Sequence, residues 1–127
     1  MKFEDLDAWK EARALVREVY ALARDEKLAR DFGLRDQLQR AAVSVMTNVA
    51  EGFERTGAAE KMHFYNIARA SAGEVRSLLY VVEDNFPHLL TPTIQLRHST
   101  IGTGKMISGL IASTQRRNAA GKIEAGR

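Results

Sequence analysis

Residues 33–52 read GLRDQLQRAAVSVMTNVAEG, and two stripes run along them. Leu34, Leu38, Ala41, Ala42, Val45, Met46, Val49 and Ala50 recur at three- and four-residue steps. That spacing puts apolar side chains on one face of a helix. Gln37, Arg40, Ser44, Asn48 and Glu51 recur at steps of three, four, four and three, which makes a polar line beside the apolar one. A solvated helix face is ordinarily a mixture of lysine and glutamate. This line is sparse, hydrogen-bonding and flanked by small residues. It suits a buried network, an assembly surface or a binding site.

Outward from this segment the same period recurs, and no strand-like alternation of useful length interrupts it. A first helix is predicted over Leu6–Arg24, with Leu6, Trp9, Ala12, Leu15, Val16, Val19, Tyr20 and Ala23 on one side and Phe3 stapling its start. The stretch DEKLARDFG (25–33) reads as a charged loop ending at a glycine. The second helix covers Leu34–Glu54, with Gly52 loosening its last turn. Thr56 is the expected N-cap of a third helix over Ala58–Glu83. Asn85, Pro87 and Pro92 bracket a short loop.

A fourth helix, Thr93–Arg117, keeps helical spacing through Ile94, Ile101, Met106, Ile107, Leu110 and Ile111. Gly102, Gly104 and Gly109 each cost it about 1 kcal/mol against alanine. Such a cost points to backbone packed close to a neighbour, or to a bend. The expected domain is 1–117, and 118–127 reads as a disordered basic tail. Each of the four helices is about 30–39 Å long at 1.5 Å per residue. Short connections make sequential helices antiparallel, so the predicted fold is all-α, an up-down-up-down four-helix bundle.

Composition narrows the function. A chain of 127 residues suits one domain with an adequate core. It has no cysteine, which excludes disulfides and thiolate chemistry and fits a reducing compartment. No apolar run approaches a membrane span, and the first residues lack a signal-peptide pattern. The expectation is a cytoplasmic protein without a membrane partner. Charge is uneven. The first 85 residues hold slightly more acid than base, whereas Arg97, Lys105, Arg116, Arg117, Lys122 and Arg127 face Glu124 alone in the remainder. A basic C-terminal third can neutralise phosphates. It also suits a helix C-terminus.

The catalytic motifs are weak. Glu60-Lys61-Met62-His63 is a single Glu-x-x-His, whereas di-iron bundles need two plus further glutamates. No metal and no cofactor are expected. Gly102-Thr103-Gly104-Lys105 resembles the end of a phosphate-binding loop. Ser99 stands where its first glycine belongs, Met106 follows the lysine, and no strand precedes it. Ser44 and Ser71 have no histidine at helical spacing. Glu51 and Glu74 are the one carboxylate pair that an enzyme would use. The favoured alternative is a polar network in which Arg40, Ser44, Asn48 and Glu51 meet Ser71 and Glu74, within a subunit or between subunits.

These residues resemble the bacterial four-helix proteins encoded in intervening sequences of large-subunit ribosomal RNA genes, and the similar accessory variability determinants of retroelements. The likeness starts at Phe3-Glu4-Asp5-Leu6 with Trp9 and Ala12. It is strongest at Gly33-Leu34, Gln37-Leu38, Arg40 to Val45 and Asn48 to Gly52. It continues through Phe64, Ile67-Ala68, Ser71 and Glu74, with Lys105-Met106 and Gly109-Leu110-Ile111 later, and covers about 3–113. Ala70 departs from a usual glycine and Lys61 from a usual aromatic residue. The resemblance implies a four-helix protomer, a ring-shaped homopentamer and no known catalysis. Its retroelement branch implies association with RNA and a reverse transcriptase.

Two functional expectations follow. One is a non-enzymatic assembly protein that contacts an RNA or DNA backbone through Arg97, Lys105, Arg116 and Arg117, repeated around a ring. The other is a scaffold for a protein partner, favoured by the mixed charge of the first three helices.

Overall fold

The structure, a computed structural model, describes residues 1–125, and these are all-helical apart from short connections. A 3-10 turn over Phe3–Asp5 leads into α1 (Asp7–Ala23), α2 (Glu26–Arg30), α3 (Phe32–Glu54) and α4 (Ala58–Asn85). A second 3-10 turn over Pro87–Leu89 leads into α5 (Leu90–Ala125). The four long helices occupy the four segments expected. Helix α3 packs against α4, α4 against α5, and α1 against both α3 and α5.

Helix α2 replaces what the sequence presents as loop. Asp25 caps it, accepting from the backbone N–H groups of Lys27 at 3.2 Å and Leu28 at 3.1 Å. Leu28 is fully buried in the core. One cap and one anchor hold a five-residue helix that has too little periodicity to announce itself.

The core is one cluster. Helix α1 gives it Ala8, Ala12, Leu15, Val19 and Leu22; α3 gives Leu38, Ala42, Val45 and Val49; α4 gives Tyr65, Ala68, Val75, Leu79 and Val82. Each fully buried leucine or valine is worth about 1.5–3 kcal/mol. Phe3 meets Trp9 edge-on at 5.2 Å between ring centroids, beside the start of α1.

Helix α5 departs most from expectation. Its inward line is Thr93, Leu96, Thr100, Thr103, Ile107 and Ile111, all buried. Ile94 and Ile101 are only half-buried, and Met106 is exposed. Thr100 and Thr103 go inward because the methyl packs while the hydroxyl donates to the carbonyl four residues back, whereas the Thr93 hydroxyl is buried without a hydrogen-bond partner among the described residues. Thr100 Oγ1 bonds Leu96 O at 2.7 Å and Thr103 Oγ1 bonds Ser99 O at 3.2 Å. Pro92 lies inside the first turn of α5 rather than in a loop, where its missing N–H would have had no partner. The helix continues to Ala125, past Arg117, where the sequence suggests that the bundle ends and a tail begins. Of that tail, Gly126 and Arg127 lie outside the described residues.

The glycines reverse expectation. A Cβ added at Gly102, Gly104 or Gly109 would meet nothing within 4 Å, so no neighbouring helix presses on them. The close approach is at Gly52, where an added Cβ would fall 2.5 Å and 2.6 Å from two ring carbons of Tyr65. Gly52 therefore sets the distance between α3 and α4, and α3 runs past it to Glu54. Gly57, not Thr56, is the N-cap of α4. The turn between them is closed by Lys61, whose ammonium donates to Phe53 O at 2.8 Å and Gly52 O at 3.4 Å. These carbonyls lie in the last turn of α3, where Gly52 O also accepts from the Arg55 N–H at 3.3 Å, and a lysine suits them.

Candidate functional site

Two polar features stand out on this frame, and each joins a pair of helices. The first is a seam between α3 and α4. Ser44 Oγ lies 2.8 Å from Ser71 Oγ. The side-chain amide of Asn48 donates to Ser44 Oγ at 3.0 Å and to Ser44 O at 2.9 Å. Ser71 is buried, and Ser44 and Asn48 are half-buried. Ser44, Asn48 and Ser71 are thus brought together by the register of α3 on α4.

The rest of the predicted network is not part of this seam. Gln37, Arg40, Glu51 and Glu74 are exposed. Glu51 pairs along its own helix with Arg55 at 3.2 Å. Arg40 lines an open groove of about 570 Å³ with Tyr20, Asp36, Ser44 and Thr47. Glu74 makes no ion pair among the described residues. Rotation about the helix does not separate the members of the α3 polar line, because steps of three, four, four and three keep all five within about 80°; what singles out Ser44 and Asn48 is their height along α3, where Ser71 of α4 stands opposite Ser44.

The second feature is a groove of about 430 Å³ between α4 and α5. Arg69 and Arg76 line it from α4, Lys105 from α5, with Gly73, Gly104 and Ser108 among its other walls. No carboxylate among the described residues lines it. Arg69 donates to Asn66 Oδ1 at 2.8 Å and to Ser108 Oγ at 3.4 Å, partners that hold the guanidinium without cancelling its charge. Among the described residues none of the three cations is in an ion pair.

The four cations anticipated from the sequence divide. Lys105 lies in this groove and is exposed. Arg116 and Arg117 are exposed further along α5. Arg117 lines a separate groove with Thr56, Lys61 and Lys122. Its charge tempers, but does not overcome, the burial that raises the Tyr65 phenol above its ordinary pKa. Arg97 is committed elsewhere. It donates to Glu83 at 2.9 Å, with side-chain exposures of 16% and 9%, and lies over the Tyr80 ring at 4.4 Å. The Glu83 carboxylate holds the Arg97 guanidinium above its usual pKa. Arg97 is a clamp between α5 and α4 rather than a free cation.

Sequence reasoning missed Arg69 and Arg76. Their spacing of seven puts both on one face of α4. Counting charge by chain segment hid them, because α4 also carries Glu60, Glu74, Glu83 and Asp84. His63 of the Glu-x-x-His packs edge-on to Phe64 at 5.1 Å. Among the described residues no three His, Cys, Asp or Glu side chains come together as a metal site would need.

These features define a class: a helical protein whose distinctive polar groups lie along helix-helix contacts and surface grooves. Residues 4–109 match the family model for the 23S rRNA-intervening sequence protein. The chain belongs to that family. The matched span includes both the seam and the α4–α5 groove, and it ends before Arg116 and Arg117. No curated protein matches the chain. No helix among the described residues is long and apolar enough to cross a membrane.

Proposed function

We propose that this protein is a non-enzymatic, self-assembling helical protein that binds the backbone of nucleic acid. Its protomer is an antiparallel up-down-up-down four-helix bundle of α1, α3, α4 and α5, a topology supported by their cyclic order of contact. Membership of the 23S rRNA-intervening sequence protein family is compatible with RNA as the partner. The observation that carries the proposal is the set of exposed cations with no ion pair among the described residues, Lys105, Arg116 and Arg117 on the surface of α5. Assembly into the five-membered ring that the resemblance implies repeats each weak phosphate contact five times. Aromatic stacking platforms are thin, so backbone and shape are read rather than sequence.

Light scattering of the purified chain gives its mass, and a multiple of 14.2 kDa is expected. Filter binding with structured RNA and duplex DNA at two salt concentrations tests the partner. Binding that weakens steeply with salt supports the proposal, and no binding at low salt removes it.

A second reading is a protein-binding scaffold, favoured by Phe32, exposed to 64% at the start of α3, and by exposed Tyr20 on α1. Capture of a protein partner that survives nuclease treatment favours this reading over the first.

A further inference from the structure

We infer that the α4–α5 groove, with Arg69, Arg76 and Lys105 on its walls and Gly73 and Gly104 in its lining, is the surface that seats the phosphodiester backbone of double-helical RNA. The inference rests on the nucleic-acid reading above and gives it a place. Three observations carry it.

The first is charge. Three cations from two helices converge on one groove with no carboxylate among the described residues in its lining. Arg69 is oriented by Asn66 and Ser108, both neutral, so it is held in position with its charge intact. Arg69 and Arg76 stand about 10 Å apart along the helix axis, so one run of backbone meets both. Lys105 closes the set from the opposite wall.

The second is the glycines. A Cβ at Gly73 or Gly104 would touch nothing within the protomer. Glycine weakens a helix relative to alanine, and here no internal contact requires it. Gly102 and Gly109 share this open space, but Gly73 and Gly104 are the two that lie among the groove's cations, where the missing side chains leave room for something arriving from outside. A phosphate strand that lies close to the backbone of both helices is such an object, and the cations name its sign.

The third concerns the form of RNA. No aromatic ring among the described residues lines the groove, and Tyr80, one turn beyond Arg76 and 49% exposed, has one face taken by Arg97 at 4.4 Å. Unpaired bases would find no stacking surface within the groove itself. A double helix, which presents phosphate and ribose on the outside, fits the chemistry offered.

The test uses the full chain and a fluorescently labelled RNA hairpin, read by anisotropy across a salt series. The Arg76→Ala, Lys105→Ala double variant should bind about tenfold more weakly, with a salt slope lower by about 2. A control pair on exposed positions of α1, Lys10→Ala with Arg17→Ala, should bind as the parent does. The Gly73→Ala, Gly104→Ala pair should raise the melting temperature while weakening binding several-fold, a combination that a purely structural role for these glycines does not produce. If the parent binds RNA and the groove variant binds equally well, the groove is wrong while the nucleic-acid reading stands. If the parent binds no RNA at low salt, both fall. Higher affinity for a DNA duplex of equal length overturns the assignment to RNA. A raised melting temperature with unchanged affinity overturns the role given to the glycines.

Discussion

The hydroxyl of Ser44 on α3 lies 2.8 Å from the hydroxyl of Ser71 on α4, and Asn48 completes the group by donating to Ser44. Ser71 is buried, so its hydroxyl would be stranded by loss of Ser44, whereas Ser44 and Asn48 are half-buried and keep some access to water. A neutral hydrogen bond of this kind contributes about 0.5–1.5 kcal/mol net, and a stranded buried group costs about 1–3 kcal/mol. Ser44→Ala and Ser71→Ala should each destabilise the protein by about 1–2 kcal/mol, while the double variant should cost less than their sum. Urea denaturation at one fixed protein concentration measures the cycle. Strict additivity would show that the two hydroxyls do not interact.

Gly52 and Gly109 should respond to alanine with opposite signs. At Gly52 the new methyl would collide with the ring of Tyr65, which is 3% exposed and cannot swing away, and would crowd Lys61 O at 3.1 Å. Overpacking of this kind costs about 1–3 kcal/mol. At Gly109 the methyl would enter open space, and the gain in helix propensity is about 1 kcal/mol. Thermal melts of both variants check the pair. A stabilised Gly52→Ala would mean that α3 and α4 are not held at this distance.

Asp25 links acid sensitivity to the contact between the α1–α2 junction and the 3-10 turn at Pro87–Leu89. The Leu28 backbone N–H and the His88 ring hold its carboxyl below the usual carboxylate range. His88 Nε2 lies 3.0 Å and 3.1 Å from the two carboxylate oxygens. A lowered folded-state pKa stabilises the fold above the unfolded value, about 3.9, and that stability is lost as pH falls through the folded value. Asp25→Ala should therefore cost about 1–2 kcal/mol at pH 7. The gap to the parent should narrow below about pH 4. Urea midpoints of both proteins between acid and neutral pH make the comparison. A gap that stays constant across that range contradicts the linkage.

Arg97 separates structure from binding. Arg97→Ala leaves the nearly buried Glu83 carboxylate without its partner, so the melting temperature should fall. Affinity for RNA should change little, because this guanidinium is already occupied. Lys105→Ala should do the reverse, leaving stability unchanged and weakening binding. Anisotropy and thermal melts on the same two variants distinguish them. An Arg97 variant that melts like the parent but loses RNA would return Arg97 to the binding surface.

Much of this architecture is legible in the chain because helices announce themselves by period. The apolar face of α3, the core line of α4 and the interruption around Pro87 follow from spacing and from the chemistry of proline. The seam was half legible. Ser44, Asn48 and Ser71 could be picked out as polar residues at core-like spacing, but Gln37, Arg40, Glu51 and Glu74 carry the same spacing and face outward. Threonine in the core of α5 escaped because a hydropathy pattern scores its hydroxyl and not its methyl. Helix α2 escaped because five residues carry too little period.

The sequence by itself determined an all-helical protein, the location of its four long helices and most of its apolar core, because those depend on residues near one another in the chain. Only the tertiary structure decided which polar residues meet. The Ser44–Ser71 contact, the Arg97–Glu83 clamp and the groove of Arg69, Arg76 and Lys105 each join side chains from different helices. Their distances depend on the rotation and register of one helix on another, which the Gly52–Tyr65 contact helps to set and which no local pattern encodes.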